Sequence, residues 1–127
     1  MSCTLITVAG KTSDPMFQRS RCIAEALCDQ HSDRVQICVM EFFECQWDQF
    51  LKKTANTLKG VFYEHQSSPL IYLDEGTYVG DGEQFQTWAL HNFNHKDAGR
   101  FCDYEKMATQ AICDKINNSK TRKYAKL

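Results

Sequence analysis

The sequence predicts an α/β domain in the element order β-α-β-α-β-β-α with an added C-terminal helix, and three observations carry that reading. An apolar run at Leu5–Ala9 and an alternating one at Arg34–Met40 flank a segment of helical period, the pattern of a parallel strand pair joined by a crossover helix. Two further strand signals, Pro69–Leu73 and Thr77–Val79, are separated only by Asp74-Glu75-Gly76, which predicts an antiparallel hairpin. Helical periodicity then returns from Gly82 onward.

Each element has its own local reasons. Gly10 ends the first strand, and Asp14-Pro15 opens the first helix: a carboxylate caps the free N–H groups, and proline takes the first position, where its missing donor costs nothing. Met16, Ser20, Ile23, Ala24, Leu27 and Cys28 follow at helical spacing, so the helix runs to about His31–Asp33. In the second strand Val35, Ile37 and Val39 share one face. The period changes at Phe43, and Trp47, Phe50, Leu51 and Thr54 form the inner face of a second helix that ends before Gly60. Val61–Ser68 has no clear period and reads as an irregular connection. Pro69 starts the third strand where no ladder donor is needed.

Asp81 and Gln84 stand at capping-box spacing and open a third helix through Phe85, Trp88, Ala89 and Phe93. Residues 96–99 break it, and Arg100–Asn117 predicts a last helix with Phe101, Tyr104, Ala108, Ala111 and Ile112 on one face. Trp47 and Trp88 both fall at core spacing and are read as packing residues.

Composition narrows the function. With 127 residues, 43% of them hydrophobic, the chain has the material for one core. A net charge of -1 gives no general attraction to nucleic acid or an anionic membrane, and neither is expected as a partner. No apolar run has the length of a membrane span, and the N-terminal run lacks the features of a signal peptide. Cysteines 3, 22, 28, 38, 45, 102 and 113 form no C-x-x-C pair, and their odd number opposes a fully paired disulfide framework. A reducing, cytoplasmic setting follows as an expectation. Cys22, Cys28 and Cys38 read as inert packing thiols, and Cys3 as an exposed one.

Gly10-Lys11-Thr12 resembles the end of a phosphate-binding loop, but that loop needs a first glycine five residues before the second, and Leu5 occupies the place. The only histidine pair at i and i+4, His91 and His95, lacks a neighbouring third ligand and reads as a surface pair; no metal is expected. Lys120, Arg122, Lys123 and Lys126 make the end of the chain basic, either as a solvated tail or as a docking segment for an acidic surface such as a microtubule.

Three separated segments resemble the glutaredoxins, a branch of the thioredoxin-like fold. The family's Lys-Thr-Thr-Cys-Pro-Tyr-Cys loop is similar to Lys11-Thr12-Ser13-Asp14-Pro15-Met16-Phe17, with Asp14 in the place of the nucleophilic cysteine and Phe17 in that of the resolving one. The family's Thr-Val-Pro segment, whose proline is cis, resembles Ser67-Ser68-Pro69. Its glycine-rich segment resembles Val79–Phe85, where Gly80 matches and Asp81 replaces the second glycine. The resemblance implies a glutaredoxin-like domain over residues 1–96, and periodicity and charge add a C-terminal helix over 97–118 and a basic tail over 119–127.

Over about residues 4–95 the order and spacing of "VAGKTSDPMF", "CQWDQFLKK", "SSPLIYLDEG" and "FQTW" also resemble the N-terminal segment of cilium-associated malate dehydrogenase 1B-type proteins. No G-x-G-x-x-G follows a strand, so dehydrogenase chemistry is not implied. Thiol–disulfide exchange needs a thiolate, which Asp14 cannot supply. The resemblance therefore implies a redox-inactive binding or structural module with protein partners, in the setting of a ciliary or flagellar axoneme. The alternative is a transferase-like enzyme that uses bound glutathione as its thiol, held by Lys11, Thr12, Ser68, Pro69 and Gly80, with Asp81 alongside.

Overall fold

A computed structural model describes residues 3–96, 99 and 101–125, and of residues 101–102 and 118–125 the backbone alone. Strand β1 (Thr4–Lys11) leads through Asp14 into helix α1 (Pro15–Gln30), then strand β2 (Val35–Phe42) and helix α2 (Glu44–Leu58). Strands β3 (Leu70–Leu73) and β4 (Thr77–Gly80) form the hairpin, followed by helices α3 (Gly82–Phe93) and α4 (Phe101–Ala125). The sheet order is β2-β1-β3-β4, with β1 parallel to β2 and antiparallel to β3. This is the thioredoxin-like α/β arrangement with an added C-terminal helix, as the sequence predicts.

The alternation of β1 divides the core between two layers. Ile6 and Val8 point to the face covered by α1 and α3, where they meet Phe17, Ile23, Leu27 and Phe85. Ala9 points to the other face and joins Trp47, Ala55, Phe62 and Leu70 beneath α2. Helix α4 lies over α1, burying Tyr104 and Ala108, with Met107 Sδ 3.8 Å from Cys22 Sγ. Helix α1 is thereby held between the sheet and α4, and Ser20, on its inner face, is buried where Gly82 of α3 comes up against it.

Four expectations change. The connection after α2 is not wholly irregular: Gly60–Glu64 forms a 3-10 turn that buries Phe62. The backbone of α4 continues through Ala125, past the expected boundary at 118, because no glycine or proline after Asn117 interrupts it. The side chains of Lys120, Arg122 and Lys123, and the whole of Lys126, lie outside the described residues, as do the side chain of Cys102 and residues 97–98. Helix α3 stops at Phe93 and Asn94 takes a left-handed conformation (φ 51°, ψ 33°), so His95 has left the helix and does not share a face with His91. Cys38 is exposed, because α2 does not cover that part of the sheet edge.

Candidate functional site

The sheet register gathers the glutaredoxin-like segments at one end of the molecule. Ala9 pairs with Leu70, which sets Gly10 and Lys11 beside Pro69 and Ser68, and Ile71 pairs with Gly80 on the far side. The Lys11 N–H donates to Ser68 Oγ at 2.9 Å, tying the two segments together. The Ser68–Pro69 peptide bond is cis, as expected from the resemblance. At the start of α3, Gly82 packs against α1: a Cβ there would stand 3.1 Å from Met16 Cε and 3.2 Å from Ser20 Oγ. The N-termini of α1 and α3, the cis-proline turn and the end of β1 thus form one face.

Asp14 caps α1. Its backbone is extended (φ -89°, ψ 116°), and Oδ1 accepts the Met16 N–H at 3.0 Å, the geometry of a side-chain N-cap. Its Oδ2 is buried and meets no donor among the described residues. Phe17 is fully buried, and its ring lies against Gly10. Thr12 is also fully buried: its N–H donates to the Phe42 carbonyl, and its own carbonyl accepts from Gln18 Nε2 at 3.0 Å. Thr12 and Phe17 therefore shape the loop from within, whereas Lys11, Asp14 and Pro15 are half-exposed and reach the surface.

On the opposite side of the turn, Pro69 and Gly80 are buried, while Ser68 and Asp81 are half-exposed. The Asp81 carboxylate is already engaged, accepting the Gln84 N–H at 3.0 Å, while Gln84 Oε1 accepts the Asp81 N–H at the same distance. Gly80 has φ +125°, and a Cβ at that position would overlap the Gln84 side chain, so the reciprocal cap depends on glycine there.

Two polar residues important to this face carry no recognisable signal in the sequence. Gln18 is buried and crosslinks the loop to α1, since its Oε1 accepts from Arg21 Nε and Nη2 at 3.1 and 2.8 Å. His65 is buried behind the cis-proline turn, with Nε2 2.8 Å from the Ser67 carbonyl and 3.1 Å from the Pro69 carbonyl, and Nδ1 2.8 Å from Tyr78 Oη. Carbonyls only accept, so Nε2 carries a proton and donates to them, while Nδ1 hydrogen-bonds the Tyr78 hydroxyl. Burial, then the Asp81 and Glu64 carboxylates, push the Tyr78 phenol above its ordinary value, so it keeps its proton. A lone histidine in an aperiodic segment offers no pattern from which this brace could be read.

Removing the brace has a measurable cost. His65→Ala leaves two inward-facing carbonyls and a phenol without their partner, and the expected loss of stability is about 1–3 kcal/mol. Urea unfolding of the variant and the parent measures it.

Among the described residues, no group of three or more His, Cys, Asp or Glu is placed to hold a metal ion, and no helix is long and apolar enough to cross a membrane. A cavity of about 1090 Å³ lies between α2 and the sheet over Thr7, Met40, Phe42 and Tyr72, and shares no residue with the Lys11–Phe17 loop or the cis-proline turn.

No family model matches the chain. The human protein named probable inactive peptidyl-prolyl cis-trans isomerase-like 6 is 31% identical to it over 88 residues, which cover 66% of this chain. The matched region spans 27% of that protein's length, so the similarity extends over only a part of it.

Proposed function

We propose that this chain is a redox-inactive, glutaredoxin-like module that binds a protein partner through the face formed by the Lys11–Phe17 loop and the cis-proline turn. The observation that carries the reading is the state of the two reactive positions. Asp14 is an N-cap and Phe17 is a buried core side chain, so neither offers a thiol, while the Lys11 N–H bond to Ser68 Oγ ties the loop to the neighbouring turn. An extended segment recognised beside such a turn would pair with main-chain groups and leave its side chains to half-exposed Lys11, Asp14 and Ser68. A relative whose own name describes it as inactive is in keeping with a non-catalytic role. The setting we infer, a ciliary or flagellar axoneme, rests on the resemblance to the malate dehydrogenase 1B-type segment.

The glutathione-dependent alternative meets two obstacles. The Asp81 carboxylate would face a carboxylate of the tripeptide, and like charges at short range repel. The same carboxylate already occupies the Gln84 N–H at the start of α3.

Disulfide reduction coupled to glutathione and to thioredoxin reductase tests the proposal. The expected rate matches that of a variant with all seven cysteines replaced by serine. Turnover well above that background would overturn the redox-inactive reading, and calorimetric heat with millimolar glutathione would favour the alternative. Asp14→Ser, which retains a capping oxygen, should fold with stability within about 1 kcal/mol of the parent.

A further inference from the structure

The β2 edge of the sheet is open only at its centre, and the pattern of what is open is symmetric. Thr4 and Thr12 donate to the carbonyls of Arg34 and Phe42, so the even-numbered residues of β2 turn their backbone groups toward β1. In a parallel ladder the intervening residues Val35, Ile37, Val39 and Glu41 then turn theirs outward. At one end the Val35 N–H is taken by the His31 carbonyl at 2.8 Å. At the other, Lys115 Nζ of α4 donates to the Glu41 carbonyl at 3.3 Å and sits 4.2 Å over the Phe43 ring. Among the described hydrogen bonds none falls on the outward N–H and C=O groups of Ile37 and Val39. The Glu41 N–H is likewise free, and the Val35 carbonyl receives only the Cys28 thiol at 3.6 Å.

We propose that this edge pairs with the same edge of a second copy of the chain, antiparallel, about a two-fold axis through Cys38. In that register Ile37 faces Val39 of the other copy, and the two exchange both of their hydrogen bonds. Val35 comes opposite Glu41 of the other copy, but Val35 is 1% exposed with its N–H on His31 and its carbonyl under the Cys28 thiol, and the Glu41 carbonyl is taken by Lys115. The pairing is therefore carried by the Ile37–Val39 exchanges and leaves the occupied groups undisturbed. Centring the axis on Val39 would instead bring the Ile37 N–H against the occupied Glu41 carbonyl. Centring it on Ile37 would bring the Val39 carbonyl against the occupied Val35 N–H.

The rest of the strand agrees with this pairing. The β2 strand has eight residues, no proline or lysine and no bulge in its pairing with β1, and its one charged residue, Glu41, stands near an end, so the centre of the strand lacks the devices that blunt an exposed edge. Exposed Arg34 lies just before one end and exposed Glu41 near the other, and the antiparallel arrangement sets the Arg34 end of each copy beside the Glu41 end of its mate. At the centre, exposed Cys38 faces Cys38 in a non-hydrogen-bonded pair, where Cα atoms approach to about 4.5 Å, within the range a disulfide spans.

Sedimentation of the full chain under reducing conditions, over a micromolar concentration series, is expected to show a monomer–dimer equilibrium. Adding oxidised glutathione reads the register: two Cys38 thiols give up their protons and two electrons to form the inter-chain disulfide, and the glutathione disulfide is reduced to two glutathione thiols. Peptide mapping should find Cys38 joined to Cys38. Gln36→Cys in a Cys38→Ser background should not crosslink through residue 36, because Gln36 faces Met40. Cys38→Lys changes an exposed side chain, so its circular dichroism and melting temperature should stay near the parent's, while facing ammonium groups should weaken the dimer about tenfold or more. A chain that stays monomeric throughout the series, a Cys38→Lys dimer of unchanged affinity, or crosslinking at 36 as ready as at 38 would each overturn the proposal.

Discussion

Phe17→Ala is expected to lower the unfolding free energy by about 3–5 kcal/mol, the range for deleting a fully buried aromatic ring from a packed core. The effect should appear as a lower urea midpoint with an unchanged slope, because the variant loses packing and not compactness. The ring also explains Gly10. A Cβ on Gly10 would stand 2.5, 2.7 and 2.8 Å from Phe17 Cδ1, Cγ and Cβ, closer than carbon atoms pack. Gly10→Ala alone should therefore cost about 1–3 kcal/mol through overpacking. In the Phe17→Ala background the same change should be neutral or favourable, since alanine in a strand loses less backbone freedom than glycine by about 0.5–1 kcal/mol. Equal costs in both backgrounds would show that the Gly10–Phe17 contact is not the reason for the glycine.

The same packing bears on function. A Cys-x-x-Cys pair cannot be written back into this loop by changing surface residues: Asp14→Cys removes the α1 cap, and Phe17→Cys opens the cavity that Phe17→Ala opens, less the volume of a thiol. In this reading the absence of redox chemistry is built into the core.

What was legible in the sequence was what local chemistry decides. Asp14-Pro15 and Asp81-x-x-Gln84 specify their helix starts with capping atoms a few residues apart, and both caps form as the residue types require. Strand alternation placed Val35 in the core for the same reason. Features decided by what lies opposite were not legible. Gln18 falls outside the helix face that runs through Met16, Ser20 and Leu27, yet it is buried, because its side chain turns back onto the Thr12 carbonyl of the loop. Cys38 reads as buried from its place in a strand and is exposed because β2 is an edge. The role of His65 depends on three partners, Ser67, Pro69 and Tyr78, the last of them on another strand.

Trp47→Ala is the other change expected to cost about 3–5 kcal/mol, and its comparison with Trp47→Phe separates packing from polarity. Trp47 is 1% exposed and anchors α2 to the sheet, with its ring 5.4 Å from Phe50 and 5.9 Å from Phe42. A buried indole usually spends its N–H on an acceptor, and removing it then forfeits a hydrogen bond. Here Nε1 meets no acceptor among the described residues. Phenylalanine would lose part of the indole's buried area but also remove a donor whose desolvation, about 1–3 kcal/mol, is uncompensated. The two effects oppose, so Trp47→Phe should remain within about 1.5 kcal/mol of the parent, as shape-conserving apolar exchanges do. Chemical denaturation of both variants decides the point. If Trp47→Phe costs as much as Trp47→Ala, the indole N–H is bonded in solution, and α2 is held to the sheet by a polar anchor as well as by aromatic packing.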